Sequence, residues 1–229
     1  MKAVLHVISD RQRHRLPLLK ALLEAARGGA DVLQVREKKA PAQEIYQFCS
    51  ELTEACMREN ISVQVLVNDR VDVALASHSA GVHLAGKSLP VSAVRSLFKR
   101  AHYPGLVGCS VHSYDAAKEA EKAGADYITF GHVFASESHR GQPPRGVYEL
   151  ARIVDDVDVP VIAIGGIDRD NVLPVLETGC SGIAVIGAVL DQDSPCDAAL
   201  RIREQMERCG VLPKVPFPLQ RERKKEIQR

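Results

Sequence analysis

Eight short apolar runs, each rich in valine and isoleucine, recur along the chain and alternate with longer amphipathic stretches. The runs cover residues 3–9, 32–36, 63–67, 81–84, 107–111, 127–130, 159–164 and 182–186. Continuous apolar runs of this length suit parallel strands that are buried on both faces. Helical patterns fill the intervals at 16–27, 41–59, 71–77, 90–100, 114–123, 147–154, 171–177 and 195–209, with Ser113 and Asp170 placed as N-caps. Gly28-Gly29-Ala30-Asp31, Ala123-Gly124-Ala125-Asp126 and Thr178-Gly179-Cys180-Ser181 each stand between a helix and the next strand. Glycine there ends a helix through a left-handed cap, so the three phrases mark a repeated β/α joint. Such alternation closes into a barrel or opens into a doubly wound sheet. Eight even units in 229 residues favour a single (β/α)8 TIM barrel over residues 1–210. Residues 211–229 form a Pro-broken, basic tail that is expected to fray.

Electrostatics and cysteine usage exclude several classes. The formal net charge is +1, which gives no broad field for nucleic acid. A basic cluster at Arg221, Arg223, Lys224 and Lys225 has no interleaved aromatics, so it reads as a solvated terminus. It is also the one hint of a non-catalytic phosphometabolite-binding regulator. No apolar run reaches membrane-spanning length, and the start at Met1 lacks a signal-peptide pattern. The six cysteines show no CxxC spacing, as expected of reduced thiols in a cytoplasmic protein. The oligomeric state stays open, although barrels of this size commonly pair into homodimers.

Barrel chemistry sits where the strands end, with phosphate often held after the seventh and eighth. Here those ends read Ile164-Gly165-Gly166-Ile167 and Val185-Ile186-Gly187-Ala188. Glycines let backbone N–H groups approach an oxyanion closely, and a following helix adds partial positive charge. The second run ends Gln34-Val35-Arg36-Glu37-Lys38, where alternation sends Gln34 and Arg36 to the same side. A buried guanidinium needs an anion, either a ligand or an internal partner such as Glu37 or Asp69. Asp69, in Val67-Asn68-Asp69-Arg70, is placed to cap a helix or to hold magnesium. No second acid stands in Ala85-Gly86-Lys87-Ser88. Ser110 and His112 end the fifth run. The sixth leads through Gly131-His132-Val133-Phe134 into a polar loop from 135 to 141, a candidate ligand loop. His132, just past a glycine at the rim, is a candidate acid/base.

Together these phrases resemble the thiamine phosphate synthase superfamily over most of residues 1–200. The further matches are Ala80-Gly81-Val82-His83-Leu84, Gly108-Cys109-Ser110-Val111-His112 and Gly124-Ala125-Asp126-Tyr127. Synthases of this superfamily join a pyrimidine diphosphate to a thiazole phosphate and hold Mg²⁺ with two aspartates. The resemblance places the first at Asp69 and the second at Ser88; it also puts His132 at a proline and His139 at a diphosphate-binding lysine. Gly131-His132-Val133-Phe134 and Gly86-Lys87-Ser88-Leu89-Pro90 resemble instead the thiazole tautomerase (TenI-type) branch. That likeness implies an isomerase that aromatises a carboxythiazole ethyl phosphate without metal or cofactor, His132 moving the proton. Ser136, Ser138, Gly166, Ile186 and Gly187 would then hold the thiazole phosphate. Gln34, Arg36, Lys38, Asn68 and Ser110 would line the former diphosphate and pyrimidine region. The expectation is accordingly a tautomerase, with Mg²⁺-dependent thiamine phosphate synthase as the alternative.

Overall fold

The computed structural model describes residues 2–136 and 141–219. Eight parallel strands close into one barrel, each hydrogen-bonded to its neighbours in sequence and the eighth to the first. They are β1 (Val4–Ile8), β2 (Val32–Val35), β3 (Gln64–Asn68), β4 (Gly81–Leu84), β5 (Leu106–Val111), β6 (Tyr127–Gly131), β7 (Val161–Ile164) and β8 (Gly182–Val185). The helices on the outside are α1 (Leu18–Arg27), α2 (Ala42–Arg58), α3 (Val71–Ala76), α4 (Val91–Arg100), α5 (Tyr114–Lys122), α6 (Gly146–Asp156) and α7 (Val172–Leu176). A short α8 (Gly187–Leu190) and a long α9 (Pro195–Arg208) complete the chain. The expected barrel is present. The helix missing from the sequence reading is α8, whose four residues run on from the apolar β8 with no polar break to announce it.

Strand alternation divides the core in two. One set of side chains packs outward against the helices; the other, including Val4, Val32, Leu66, Leu106, Tyr127, Ile162 and Ala184, fills the barrel. Gly108 makes room for the largest of these, since a Cβ there would overlap the Tyr127 ring. The filling is not wholly apolar. His6, Gln34, Asn68, His83 and Thr129 are buried within it, and the last four form a polar floor beneath the mouth.

The glycine joints hold as expected, with Gly29, Gly124 and Gly179 all at positive φ. Asn60, His78 and His102 adopt the same left-handed cap after α2, α3 and α4. Asn60, for instance, donates its N–H to the Met57 carbonyl oxygen, and Ile61 to that of Cys56. Ser113 caps α5, its hydroxyl accepting the Ala116 N–H at 3.2 Å. Ser113→Ala is expected to cost about 1 kcal/mol, measurable by urea denaturation. Asp170 is not a cap: Asn171 occupies that position, and its side chain braces the preceding turn instead.

The tail departs from expectation up to residue 219. Phe217 is buried in the lower barrel, 5.1 Å from the Tyr127 ring in an edge-on contact. Pro218 and Val215 accept side-chain hydrogen bonds from Gln64 and Ser181, which anchor the strap across the base. The basic cluster at 221–225 lies outside the described residues. No helix among them is long and apolar enough to cross a membrane, and all six cysteines are free.

Candidate active site

A cavity of about 870 Å³ opens at the C-terminal mouth of the barrel. Its walls bring together Gln34, Arg36, Lys38, Asn68, Ser110, His132, Ser136, Gly166, Ile186 and Gly187. Of the residues singled out from sequence, Ser138 and His139 lie outside the described residues.

On one side stand the ends of β7 and β8. Gly165 and Gly166 have φ of 102° and 66°, a conformation that side chains with a Cβ adopt poorly. They are also sites of close approach. A Cβ on Gly165 would strike His132, and one on Gly166 the Ala135 carbonyl oxygen. The chain after β6 lies this close because Val133 and Phe134 donate their N–H groups to the carbonyls of Ile164 and Gly165. Next to this turn, Ile186 accepts the first N–H bonds of α8, from Val189 and Leu190. The N–H groups of Gly187 and Ala188 precede those bonds, as the orphan donors of a helix start do. Two glycine-bearing backbones thus face one end of the cavity.

The end of β2 carries cations. β2 ends at Val35, and the Arg36 N–H is held by the Ser9 hydroxyl at 2.8 Å. Neither internal anion considered for Arg36 takes its guanidinium. Glu37 pairs with Arg11 at 2.8 Å and accepts the Ser9 hydroxyl at 2.6 Å. The Asp69 carboxylate accepts the Asn68 amide at 2.6 Å, the Ala85 N–H at 3.0 Å and the Ser88 hydroxyl. Among the described residues Arg36 and Lys38 therefore face the cavity without a carboxylate partner. No group of three or more His, Cys, Asp or Glu side chains able to hold a metal is present among them.

Between the two sides lies the polar floor. Gln34 donates to Asn68 Oδ1 at 2.9 Å, while its own Oε1 is buried without a hydrogen-bond partner. His83 joins Tyr127 OH (3.0 Å from Nδ1) to Ser110 Oγ (2.9 Å from Nε2), with Thr129 closing the set at 3.2 Å from Ser110. Burial lowers the His83 pKa to about 4, with Asp69 opposing and Arg36 reinforcing the shift. Its imidazole is neutral at physiological pH. Sequence reasoning gave His83 no role, although its inward parity at a strand end, two residues from Gly81, was available as a signal.

His132 is 2% exposed, with Nε2 3.3 Å from the Gln142 carbonyl oxygen and its own carbonyl accepting the Arg145 N–H. It forms wall between β6 and β7.

Relatives in sequence and structure bear on the choice between branches. The chain is 37% identical over 206 residues to the thiamine-phosphate synthase of Pyrococcus furiosus, which covers 90% of this chain and 96% of that protein. It is 39% identical over 198 residues to the thiamine-phosphate synthase of Chlorobium luteolum, with 86% and 89% covered. The solved structure of thiamine phosphate pyrophosphorylase from Pyrococcus furiosus superposes with a TM-score of 0.80 at 37% identity, over 90% of this chain and 96% of that one. These relatives are named as synthases and as a pyrophosphorylase, and they overturn the expected thiazole tautomerase and its isomerase chemistry. The proton-shuttling role given to His132 belonged to that reaction and falls with it. The physical error lay in treating the missing second acid at Ser88 as a lost diphosphate site. Ser88 instead brings a hydroxyl onto Asp69, while Arg36 and Lys38 line the cavity. Residues 5–189 match the family described as thiamine monophosphate synthase, and the chain belongs to that family.

Proposed function

We propose that the protein is a thiamine-phosphate synthase, which couples a pyrimidine carried as its diphosphate to a thiazole carried as its phosphate. In the reaction the bond from the pyrimidine methylene carbon to a diphosphate oxygen breaks, and a bond from that carbon to the thiazole nitrogen forms. The observation that carries this reading is the pairing of two anion-binding ends in one cavity. Arg36 and Lys38 follow β2, the Gly165-Gly166 and Gly187 backbones follow β7 and β8, and all line the same cavity.

Arg36 and Lys38 bind the diphosphate and stabilise the charge that gathers on it as it leaves. Gln34, Asn68 and Ser110 orient the pyrimidine, the open Gln34 Oε1 serving as an acceptor. His83 holds Ser110 in place from below. Ser136, Ser138, Gly166, Ile186 and Gly187 hold the thiazole phosphate, and backbone N–H groups meet its oxygens.

The family implies magnesium, which takes one or two carboxylates and completes its shell with substrate phosphates and water. Asp69 fits that pattern, because its carboxylate and the Ser88 hydroxyl put two oxygens together beyond the ends of β3 and β4. Asp69 and Ser88 would hold the ion, which when bound supplies positive charge to the leaving diphosphate. Purified protein given both precursors and Mg²⁺ is expected to release diphosphate and form thiamine phosphate, and excess EDTA is expected to stop it. Failure to couple the precursors at saturating Mg²⁺ would sink the proposal.

A further inference from the structure

The loop between β1 and α1 carries three arginines at alternate positions, each tied to a carboxylate on another element. Arg11 reaches Glu37 and Glu44, Arg13 reaches Asp191, and Arg15 reaches Asp193. The last pair is largely exposed, at 62% and 87% for its two side chains, and lies off the cavity. The Arg13 pair is different. Arg13 and Asp191 both line the main cavity, as do Gly165, Gly166 and Gly187. Nε (3.1 Å) and Nη2 (2.5 Å) of Arg13 donate to the same oxygen, Asp191 Oδ2. A Cβ on Gly187 would run into both the guanidinium and the carboxylate, so the pair stands directly over the first turn of α8.

That position sets an electrostatic condition. A phosphate settling on the glycine backbones comes up against Asp191, a like charge, unless a cation lies between them. Arg13 is that cation. Two of its five N–H groups go to Asp191, which leaves others for a second anion. We infer that Arg13 is the side-chain cation of the thiazole phosphate seat, oriented by Asp191, and that it selects the phosphorylated substrate over the free alcohol. The inference rests on the synthase reading for its substrate but not for its charge logic.

Calorimetry with inorganic phosphate and steady-state kinetics with both precursors test it. Arg13→Ala is expected to weaken phosphate binding about tenfold or more and to raise the KM for thiazole phosphate to match. The KM for pyrimidine diphosphate should hold. Removing the uncovered like charge as well, in Arg13→Ala/Asp191→Ala, is expected to recover most of that loss, a sign that a merely structural ion pair would not give. Arg15→Ala should behave as the parent, and thermal unfolding of each variant checks the fold. Arg13→Ala that binds phosphate as tightly as the parent overturns the inference, and so does a double variant weaker than the single. If the parent does not couple the precursors while the phosphate results hold, the synthase reading fails and the role of Arg13 stands.

Discussion

Lowering the pH from 6.5 to 4.5 is expected to remove about 5 kcal/mol of folding stability as an upper figure, nearly all of it through two histidines inside the barrel. Burial pushes the His6 pKa down to about 3, with repulsion from His83 adding to it, and that of His83 down to about 4. Both are neutral in the folded state, whereas in the unfolded chain each takes up a proton below about pH 6.5. The unfolded state then holds more protons, so stability rises with pH. The contribution is complete above pH 6.5 and is lost as pH falls towards the folded values. A tenfold difference in proton affinity is worth about 1.4 kcal/mol, so a fall of two pH units costs about 3 kcal/mol per histidine. Each histidine is already half protonated in the unfolded chain at pH 6.5, so the two together fall short of twice that figure. Carboxylates held low by partners, Asp72, Glu121 and Glu207 among them, lose their contribution mainly at more acid pH, as the unfolded carboxylates protonate. Urea midpoints at pH 7.5, 6.5, 5.5 and 4.5 would trace the slope. His6→Leu should flatten it, because neither ring nitrogen of His6 has a hydrogen-bond partner to lose. Equal stability at pH 7.5 and 4.5, or an unchanged slope in His6→Leu, would refute the assignment.

The same two histidines show where sequence reading stops. Strand positions were legible because a parallel strand buried on both faces must be apolar throughout, and only short runs of that kind occur here. Glycine joints were legible because only glycine enters the left-handed cap at no cost; Asn60, His78 and His102 make the same turn but leave no such mark. A histidine inside a strand looks the same in sequence whether it lies in the apolar filling, as His6 does, or holds a mouth residue, as His83 does. Arg36 is a sharper case. Whether its charge is free depends on which cation claims Glu37, and the claimant is Arg11, brought across from the β1–α1 loop by the closure of the barrel. Ser88 follows the same rule. In sequence it is an absent acid, and in the fold it is an oxygen set on Asp69. The tautomerase expectation came from counting side-chain types one position at a time, while the surroundings of Arg36 depend on partners distant in sequence, such as Arg11 and Glu37.

Arg36→Ala is expected to slow coupling at saturating precursors about a hundredfold or more, the scale on which removal of one donor to developing charge is felt. The reason lies in what surrounds the guanidinium. With Glu37 taken by Arg11 and Ser9, and Asp69 by Asn68, Ala85 and Ser88, no carboxylate among the described residues competes with a diphosphate for it. The charge is therefore held ready at the cavity wall, and charge gathering on the leaving group meets it without reorganisation. Loss of the donor should appear mainly in kcat, since the interaction strengthens as the carbon–oxygen bond breaks, with a smaller rise in the KM for pyrimidine diphosphate. Arg36→Lys keeps the charge without the planar fork and should fall between the two. Arg11→Ala offers an independent check. It strips Glu37 of its partner, and a freed carboxylate next to Arg36 in sequence is then available to take the guanidinium. That variant should also lose rate, although Arg11 does not line the cavity. If Arg36→Ala couples the precursors at the parental rate, the diphosphate is not held on this side of the barrel. The orientation of both substrates would then have to be reversed.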